Sequence, residues 1–297
     1  MKAGRARIFS SWCARRSWRA IWPLALTLSV GARTMHAEPA PAAPPGYRLV
    51  WADEFEADGP PDPAKWTFEQ GFARNKELQW YQAENARCAG GRLIIEARRE
   101  SRPNPRHEPG NRDWRRSRPT VDYTSASVTT RGLHAWLYGR IEVRAKIDVR
   151  AGMWPAIWTL GVENRWPANG EIDVMEYYSG KVLANTFWAQ EGRNQPAGVV
   201  VKKSLEELSG PQWAEDFHVW RLDWDAAEIR IYVDDVLWHR TPIAEAQRFK
   251  PEQAHPFQQP HYLILNLAVG ANGGDPSAAE FPARFEVDYV RVYQRAE

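Results

Sequence analysis

The stretch Trp166-Pro-Ala-Asn-Gly-Glu171-Ile-Asp173-Val-Met-Glu176-Tyr-Tyr-Ser-Gly180 has the composition of a β-strand. Ile172, Val174, Met175, Tyr177 and Tyr178 lie between the breakers Gly170 and Gly180. Side chains alternate faces along a strand, so Glu171 and Asp173 share one face and Ile172 and Val174 the other. Plain alternation puts Glu176 on the wrong side. One extra residue, a β-bulge around Val174-Met175, returns it to the face of Glu171 and Asp173.

With that bulge, Glu171 and Glu176 stand four strand steps apart, roughly 13 Å between Cα atoms at about 3.3 Å per residue. Glutamate side chains on a concave sheet can close that span to a carboxyl separation of roughly 5 Å, the spacing of retaining glycosidases. Three acids at fixed offsets are a weak signal by themselves, and a solvated or metal-binding face is the plain alternative. The context is an apolar strand with tryptophans beside it and like charges crowded on one face. Such crowding costs stability in a strand that serves only structure.

Outward from this stretch, short apolar or alternating runs recur between Gly, Pro, Asn and Asp. They are Arg92–Ala97, Ala126–Thr130, Gly139–Ile147, Ala156–Leu160, Glu171–Tyr178, His218–Trp224, Glu228–Val233, Tyr262–Ala268 and Phe285–Tyr293. That rhythm predicts an all-β sandwich rather than alternating β-α units. Hairpin turns are expected at Ala89-Gly90-Gly91 and Val233-Asp234-Asp235. One modest helix is expected over Lys203–Leu208. There is no internal repeat.

Residues 1–37 contain seven Lys and Arg and no acid, with an apolar stretch from Ile21 to Ala32 that is too short to span a bilayer. They read as a signal peptide ending near His36-Ala37, so the protein is expected to be exported, to the periplasm or the medium. Arg15-Arg16 leaves both the general secretory and the twin-arginine routes open. Residues 38–46 read as a Pro/Ala linker and 47–297 as one catalytic domain. The whole chain has 39 basic and 37 acidic residues, but without the leader 32 face 37. A nucleic-acid partner is therefore not expected, nor is a membrane span. Of the two cysteines, Cys13 lies in the leader and Cys88 reads as a small core residue, so no disulfide is expected. A domain of this size can fold without staples and is expected to act as a monomer.

Thirteen of the 16 tryptophans lie beyond the leader. Trp154, Trp158 and Trp220 read as core, whereas Trp166 and Trp188 suit a groove in which flat rings stack on sugar faces. Residues 98–118 hold eight arginines and three prolines. They read as an exposed loop, or more sharply as a basic wall that would favour an anionic polysaccharide.

The segments Trp51-Ala-Asp-Glu-Phe55, Tyr123-Thr-Ser-Ala-Ser127, Tyr138-Gly-Arg-Ile-Glu142, Gly152-Met-Trp-Pro-Ala-Ile-Trp158, Gly170-Glu-Ile-Asp-Val-Met-Glu176, Tyr262-Leu-Ile-Leu-Asn-Leu-Ala-Val-Gly270 and Val287-Asp-Tyr-Val-Arg-Val-Tyr293 occur in this order. Together they resemble glycoside hydrolase family 16, in its laminarinase-like, bulge-containing branch. The resemblance implies a β-jelly-roll of two curved antiparallel sheets with a concave substrate cleft. It implies retaining endo-hydrolysis of a β-linked polysaccharide without a catalytic cofactor. Glu171 matches the nucleophile, Glu176 the general acid/base and Asp173 the carboxylate between them. Asn75, Glu77, Trp154 and Trp166 match positions that line sugar subsites. A structural calcium is also implied, with Asp288 as the side-chain ligand and backbone oxygens near Gly91 and Glu54.

One departure bears on the substrate. The laminarinase-like branch usually has a Thr-x-His pattern on the strand after the catalytic one, where this chain reads Asn185-Thr-Phe-Trp188. A β-1,3-glucan of the laminarin type is the first expectation. A β-galactan of the agarose, porphyran or carrageenan kind is the second. A carbohydrate-binding protein without catalysis is the third, and the three retained acids argue against it.

Overall fold

The structure, a computed structural model, describes residues 42–296. The expected signal peptide and residues 38–41 of the expected linker lie outside them. Seventeen strands form a ten-stranded and a seven-stranded sheet. Among the described residues, α-helix is confined to Trp114–Ser117, with a few 3-10 turns. No helix there is long and apolar enough to cross a membrane. The fold is the expected all-β jelly roll.

The seven-stranded sheet carries the carboxylates. Its order is 193–204, 181–190, 171–178, 153–161, 261–269, 127–129 and 67–68, with every neighbouring pair antiparallel. In the other sheet the path runs 236–242, 228–233, 218–224, 139–146, 283–295, 93–103, 120–125 and 79–81; 47–53 and 86–88 attach alongside. Its final pair, 79–81 with 120–125, is parallel.

One main core lies between the sheets. Ile157, Ile172, Leu263, Leu265 and Leu267 from the smaller sheet join Val143, Trp220, Leu222, Val290 and Val292 from the larger. Each of these strands buries alternate residues against the other sheet, as period-2 patterning requires. On the opposite face of the smaller sheet sits a separate small cluster of Ala156, Trp158, Tyr262 and Ile264.

Both expected hairpins are present. Gly90 and Gly91 turn at φ 60° and 72°, and Asp234 and Asp235 at 47° and 65°. Consecutive left-handed residues of this kind match the right-handed twist of the flanking strands. Cys88 is buried and free, and burial pushes its thiol up to about 11.

The helix expected over Lys203–Leu208 is not formed. Lys203 and Ser204 stay paired with Val182 and Lys181, and only Glu206–Leu208 makes a single 3-10 turn. Ser204 and Glu207 exchange reciprocal capping bonds, but Ser209 at φ 77° ends the turn at once. The 98–118 segment is more ordered than a loop. Its first six residues extend the strand Leu93–Pro103, and Trp114–Ser117 is a helix capped by Asp113.

Candidate active site

Gly170 introduces the strand Glu171–Tyr178 at φ 77°, and a Cβ there would lie 2.7 Å from the Pro256 carbonyl. Only glycine passes under that loop without displacing it. Glu171 pairs with Leu160 and Phe187, and Asp173 with Trp158 and Asn185; the register then shifts before Glu176, which pairs with Ala156 and Leu183. Val174 and Met175 both enter the main core. This is the expected bulge, and it brings Glu171, Asp173 and Glu176 to one face.

The three carboxyls line or underlie a cleft of about 610 Å³. Each has a distinct set of donors. Glu176 accepts at Oε1 from the Trp154 indole, 2.9 Å, and at Oε2 from Asn185 Nδ2, 2.9 Å. Glu171 accepts at Oε2 from the Trp166 indole. Asp173, 1% exposed, accepts at Oδ2 from the same Asn185 Nδ2, 3.0 Å.

Burial and like charge separate their proton affinities. Burial, then the Glu171 charge, pushes Glu176 up to about 7, against hydrogen bonds from Trp154, Asp173 and Asn185. Asp173 is driven well above the carboxylate range by burial and by Glu176 and Glu171. Burial also raises Glu171, opposed by hydrogen bonds with Asp173 and Trp166 and by the Arg74 charge. All three acids therefore hold their protons more tightly than exposed carboxyls, Asp173 most deeply buried among them. The Asp173 Oδ1 is buried and meets no hydrogen-bond partner. The site thus holds three crowded carboxyls, of which Glu176 titrates near neutrality.

Trp154 and Trp158, read as core from composition, point the other way. Met153, Ile157 and Thr159 face the sandwich interior, so Trp154, Ala156 and Trp158 face the cleft. Trp166 is 50% exposed at the cleft mouth, where the sequence placed it. Trp188 is corrected. It is 6% exposed within the main core and packs edge-on against Phe257. Opposite Glu171 stands Phe187, so parity gives Phe187 and Asn185 to the cleft and Trp188 to the interior.

Asn75 and Glu77 both line the cleft, as the resemblance implied. Glu77 is buried and accepts from Gln79 Nε2 at 2.6 Å and Asn75 Nδ2 at 3.2 Å. Tyr81 extends this network to Asn266, which accepts from the Trp158 indole at 2.7 Å. Arg74 lies over the Trp158 ring at 5.0 Å and pairs with Glu69.

The arginines of 98–118 are largely engaged inward rather than offered as a wall. Arg118 donates to the carbonyls of Glu77, 2.6 Å, and Lys76, 2.8 Å, while Arg115 donates to that of Ala73, 2.8 Å. Arg99 binds carbonyls at Pro276 and Ser277, and Arg116 pairs with Glu108. Asn75 and Lys76 sit at φ 53° and 56°, a left-handed pair that needs outside support. The segment thus braces one wall of the cleft.

Of the implied calcium ligands, Asp288 is the one that acts through its side chain, and its Oδ2 accepts from Arg144 at 2.7 Å. A cation at Asp288 would have to compete with that guanidinium. The backbone oxygens near Glu54 and Gly91 are separate from the Glu54 carboxylate, which pairs with Arg291 at 2.8 Å, and Gly91 lies in its hairpin turn.

Arg74, Asn185, Phe187, Tyr178 and Asn266 also line the cleft, and sequence reading did not single them out. Counting parity from Glu171 across the ladder would have found Asn185 and Phe187. Arg74 and Asn266 arrive from other elements and leave no local signal.

The family profile "Glycosyl hydrolases family 16" matches residues 76–291. A β-glucanase of Rhodothermus marinus is 41% identical over 85% of this chain and 87% of its own length. The X-ray structure of the laminarinase from Rhodothermus marinus superposes with a TM-score of 0.66 at 39% identity, over 84% of this chain and 98% of that one. A solved structure from work on endo-acting O-glycanases, which prominent members of the human gut microbiota express to initiate mucin breakdown, superposes with a TM-score of 0.79. It is 34% identical over 87% of this chain and 95% of that one.

Proposed function

The chain belongs to glycosyl hydrolase family 16, and on that premise we propose that it is an exported, monomeric, retaining endo-β-1,3-glucanase acting on laminarin-type polysaccharide. The observation that carries this reading is the convergence of Glu171, Asp173 and Glu176 on one cleft face across the bulge. The relatives named as β-glucanase and laminarinase support the substrate class.

In the first step a Glu171 oxygen bonds to the anomeric carbon while the glycosidic C–O bond breaks, and Glu176 gives its proton to the leaving oxygen. In the second, Glu176, now a carboxylate, takes a proton from water as its oxygen displaces Glu171. The affinity of Glu176 near neutrality suits both duties, since an acid and a base of one group work best close to the operating pH. Hydrogen bonds with Asp173 and Trp166 oppose the rise that burial imposes on Glu171, and so favour its attacking, ionised form. The exposed Trp166 and the cleft-facing Trp154 and Trp158 offer flat surfaces to sugar rings.

A second reading, hydrolysis of a β-galactan, is favoured by one observation: Asn185-Thr-Phe-Trp188 replaces the Thr-x-His pattern.

One product assay separates the two. The purified protein is incubated with laminarin, lichenan, agarose, porphyran and carrageenan. Oligosaccharide release is followed, with the new anomer read by proton NMR. Laminarin fragments of retained configuration are expected. Release from a galactan alone would move the substrate assignment, and an inverted first product would overturn the mechanism.

A further inference from the structure

Asn185 has a role that the three carboxylates do not cover. It stands opposite Asp173 on the neighbouring strand and is 1% exposed. Its amide nitrogen has two hydrogens and two acceptors within reach, Asp173 Oδ2 at 3.0 Å and Glu176 Oε2 at 2.9 Å. The donor capacity of that nitrogen is fully used on two acids. Its Oδ1, by contrast, is buried without a partner. A buried amide oxygen left unpaired costs stability, and the orientation persists because the nitrogen end meets the carboxylates. Rotated by half a turn, the amide would aim its oxygen at two acids and repel them whenever either ionised.

We infer that Asn185 is a positioning residue that ties Glu176 to Asp173 and stabilises the ionised form of the acid/base. The inference rests on the retaining reading above. Trp154 holds one oxygen of Glu176 and Asn185 the other, so the carboxyl is fixed between two strands and cannot rotate away from the leaving oxygen. Hydrogen bonds to the charged form lower proton affinity, and this one opposes the rise that burial and Glu171 impose on Glu176. Residue type matters at this position. Serine offers one proton for two acceptors, aspartate adds a fourth acid, and alanine leaves both oxygens unfilled.

Other charged groups near Glu176 are shared by wild type and variant. On its own strand these are Glu171, Asp173 and Tyr178. Arg74 and Glu77 line the cleft from the 73–82 segment. Lys202, exposed on 193–204, pairs with Leu183, which pairs in turn with Glu176. Its strand register puts it on the cleft-facing side. The residues of 153–161 on this face, Trp154, Ala156 and Trp158, carry no charge. A difference between the two proteins therefore reports the amide.

The test is the pH dependence of kcat/KM for Asn185→Ala, on polysaccharide and on an aryl glycoside with an activated leaving group. The basic limb belongs to loss of the Glu176 proton, so removing a bond to the charged form should move it upward by about 1 pH unit. Activity on polysaccharide should fall about tenfold or more at the optimum, while the aryl glycoside, which needs little acid assistance, falls much less. A structural role alone would lower both substrates equally and leave the limb in place, and that outcome overturns the inference. Should Asn185→Ala fail to fold, Asn185→Ser decides on the same readout, with a smaller upward shift expected and an unmoved limb again overturning it. The product anomer of the wild type is measured alongside. Inversion there would remove the retaining reading itself, whereas retention with an unmoved limb removes only the role of Asn185.

Discussion

Val174 and Met175, consecutive in the chain, both turn their side chains into the sandwich core, at 1% and 0% exposure. In an unbulged strand one of the two would face the cleft and tolerate truncation. Val174→Ala and Met175→Ala should therefore each destabilise the protein, by about 2–4 kcal/mol in urea unfolding. If only one of them does so, the side chains alternate and the placement of Glu176 is wrong.

The two glutamates have chemically separable duties. Glu176→Ala removes acid assistance, so polysaccharide hydrolysis should fall by about 10²–10⁴. An activated aryl glycoside should still glycosylate the variant, and azide should speed its release as a product of retained configuration. Glu171→Ala has no such route, because the covalent intermediate cannot form. Near-wild-type activity in Glu171→Ala, or azide release with inversion in Glu176→Ala, would reverse the assignment.

The rate on polysaccharide should follow a bell in pH whose basic limb lies near 7, where Glu176 loses its proton. The acidic limb should stand above the ordinary carboxylate value, because burial raises Glu171. The same shift predicts stability. The folded state holds a proton on Glu176 that the unfolded chain releases, so stability falls as pH rises from the ordinary glutamate value of 4.5 to about 7 and is level beyond. Glu176→Gln should melt above the wild type at pH 8 and close to it at pH 4. Equal melting curves at both would place the acid in a solvated setting.

Arg118 and Arg115 hold the carbonyls of the cleft-lining 73–77 segment. Arg118→Ala and Arg115→Ala should raise KM for polysaccharide severalfold with a smaller change in kcat, since they support binding and not the reacting atoms. Arg112 is exposed, and Arg112→Ala serves as the control, expected to match wild type. Equal kinetics in all three would return the segment to a solvated surface.

Metal removal tests the implied calcium at Asp288. Because Arg144 already neutralises that carboxylate, exhaustive dialysis against EDTA should leave Tm unchanged, and added calcium should not raise it. A rise of several degrees with calcium would mean that a cation competes successfully with Arg144 and is held with the backbone oxygens near Gly91 and Glu54.

Much of this protein could be read without coordinates because strand patterning is local. Alternation from Glu171 to Tyr178 fixed which residues share a face, and the misplacement of Glu176 by one step demanded the bulge. The same local rules located both hairpins. What spacing left open, which glutamate attacks and which donates, came from resemblance to a family. Only the tertiary structure decided the surroundings. Trp154, Trp158 and Trp188 are alike in composition, and their faces follow from register against neighbouring strands rather than from hydrophobicity. Asn185 meets Asp173 and Glu176 across the sheet, Arg74 and Asn266 arrive from other elements, and the arginines of 98–118 find carbonyls some forty residues away. Such contacts leave no trace in a chain read a few residues at a time, because proton affinity and side-chain partnership depend on what burial brings together.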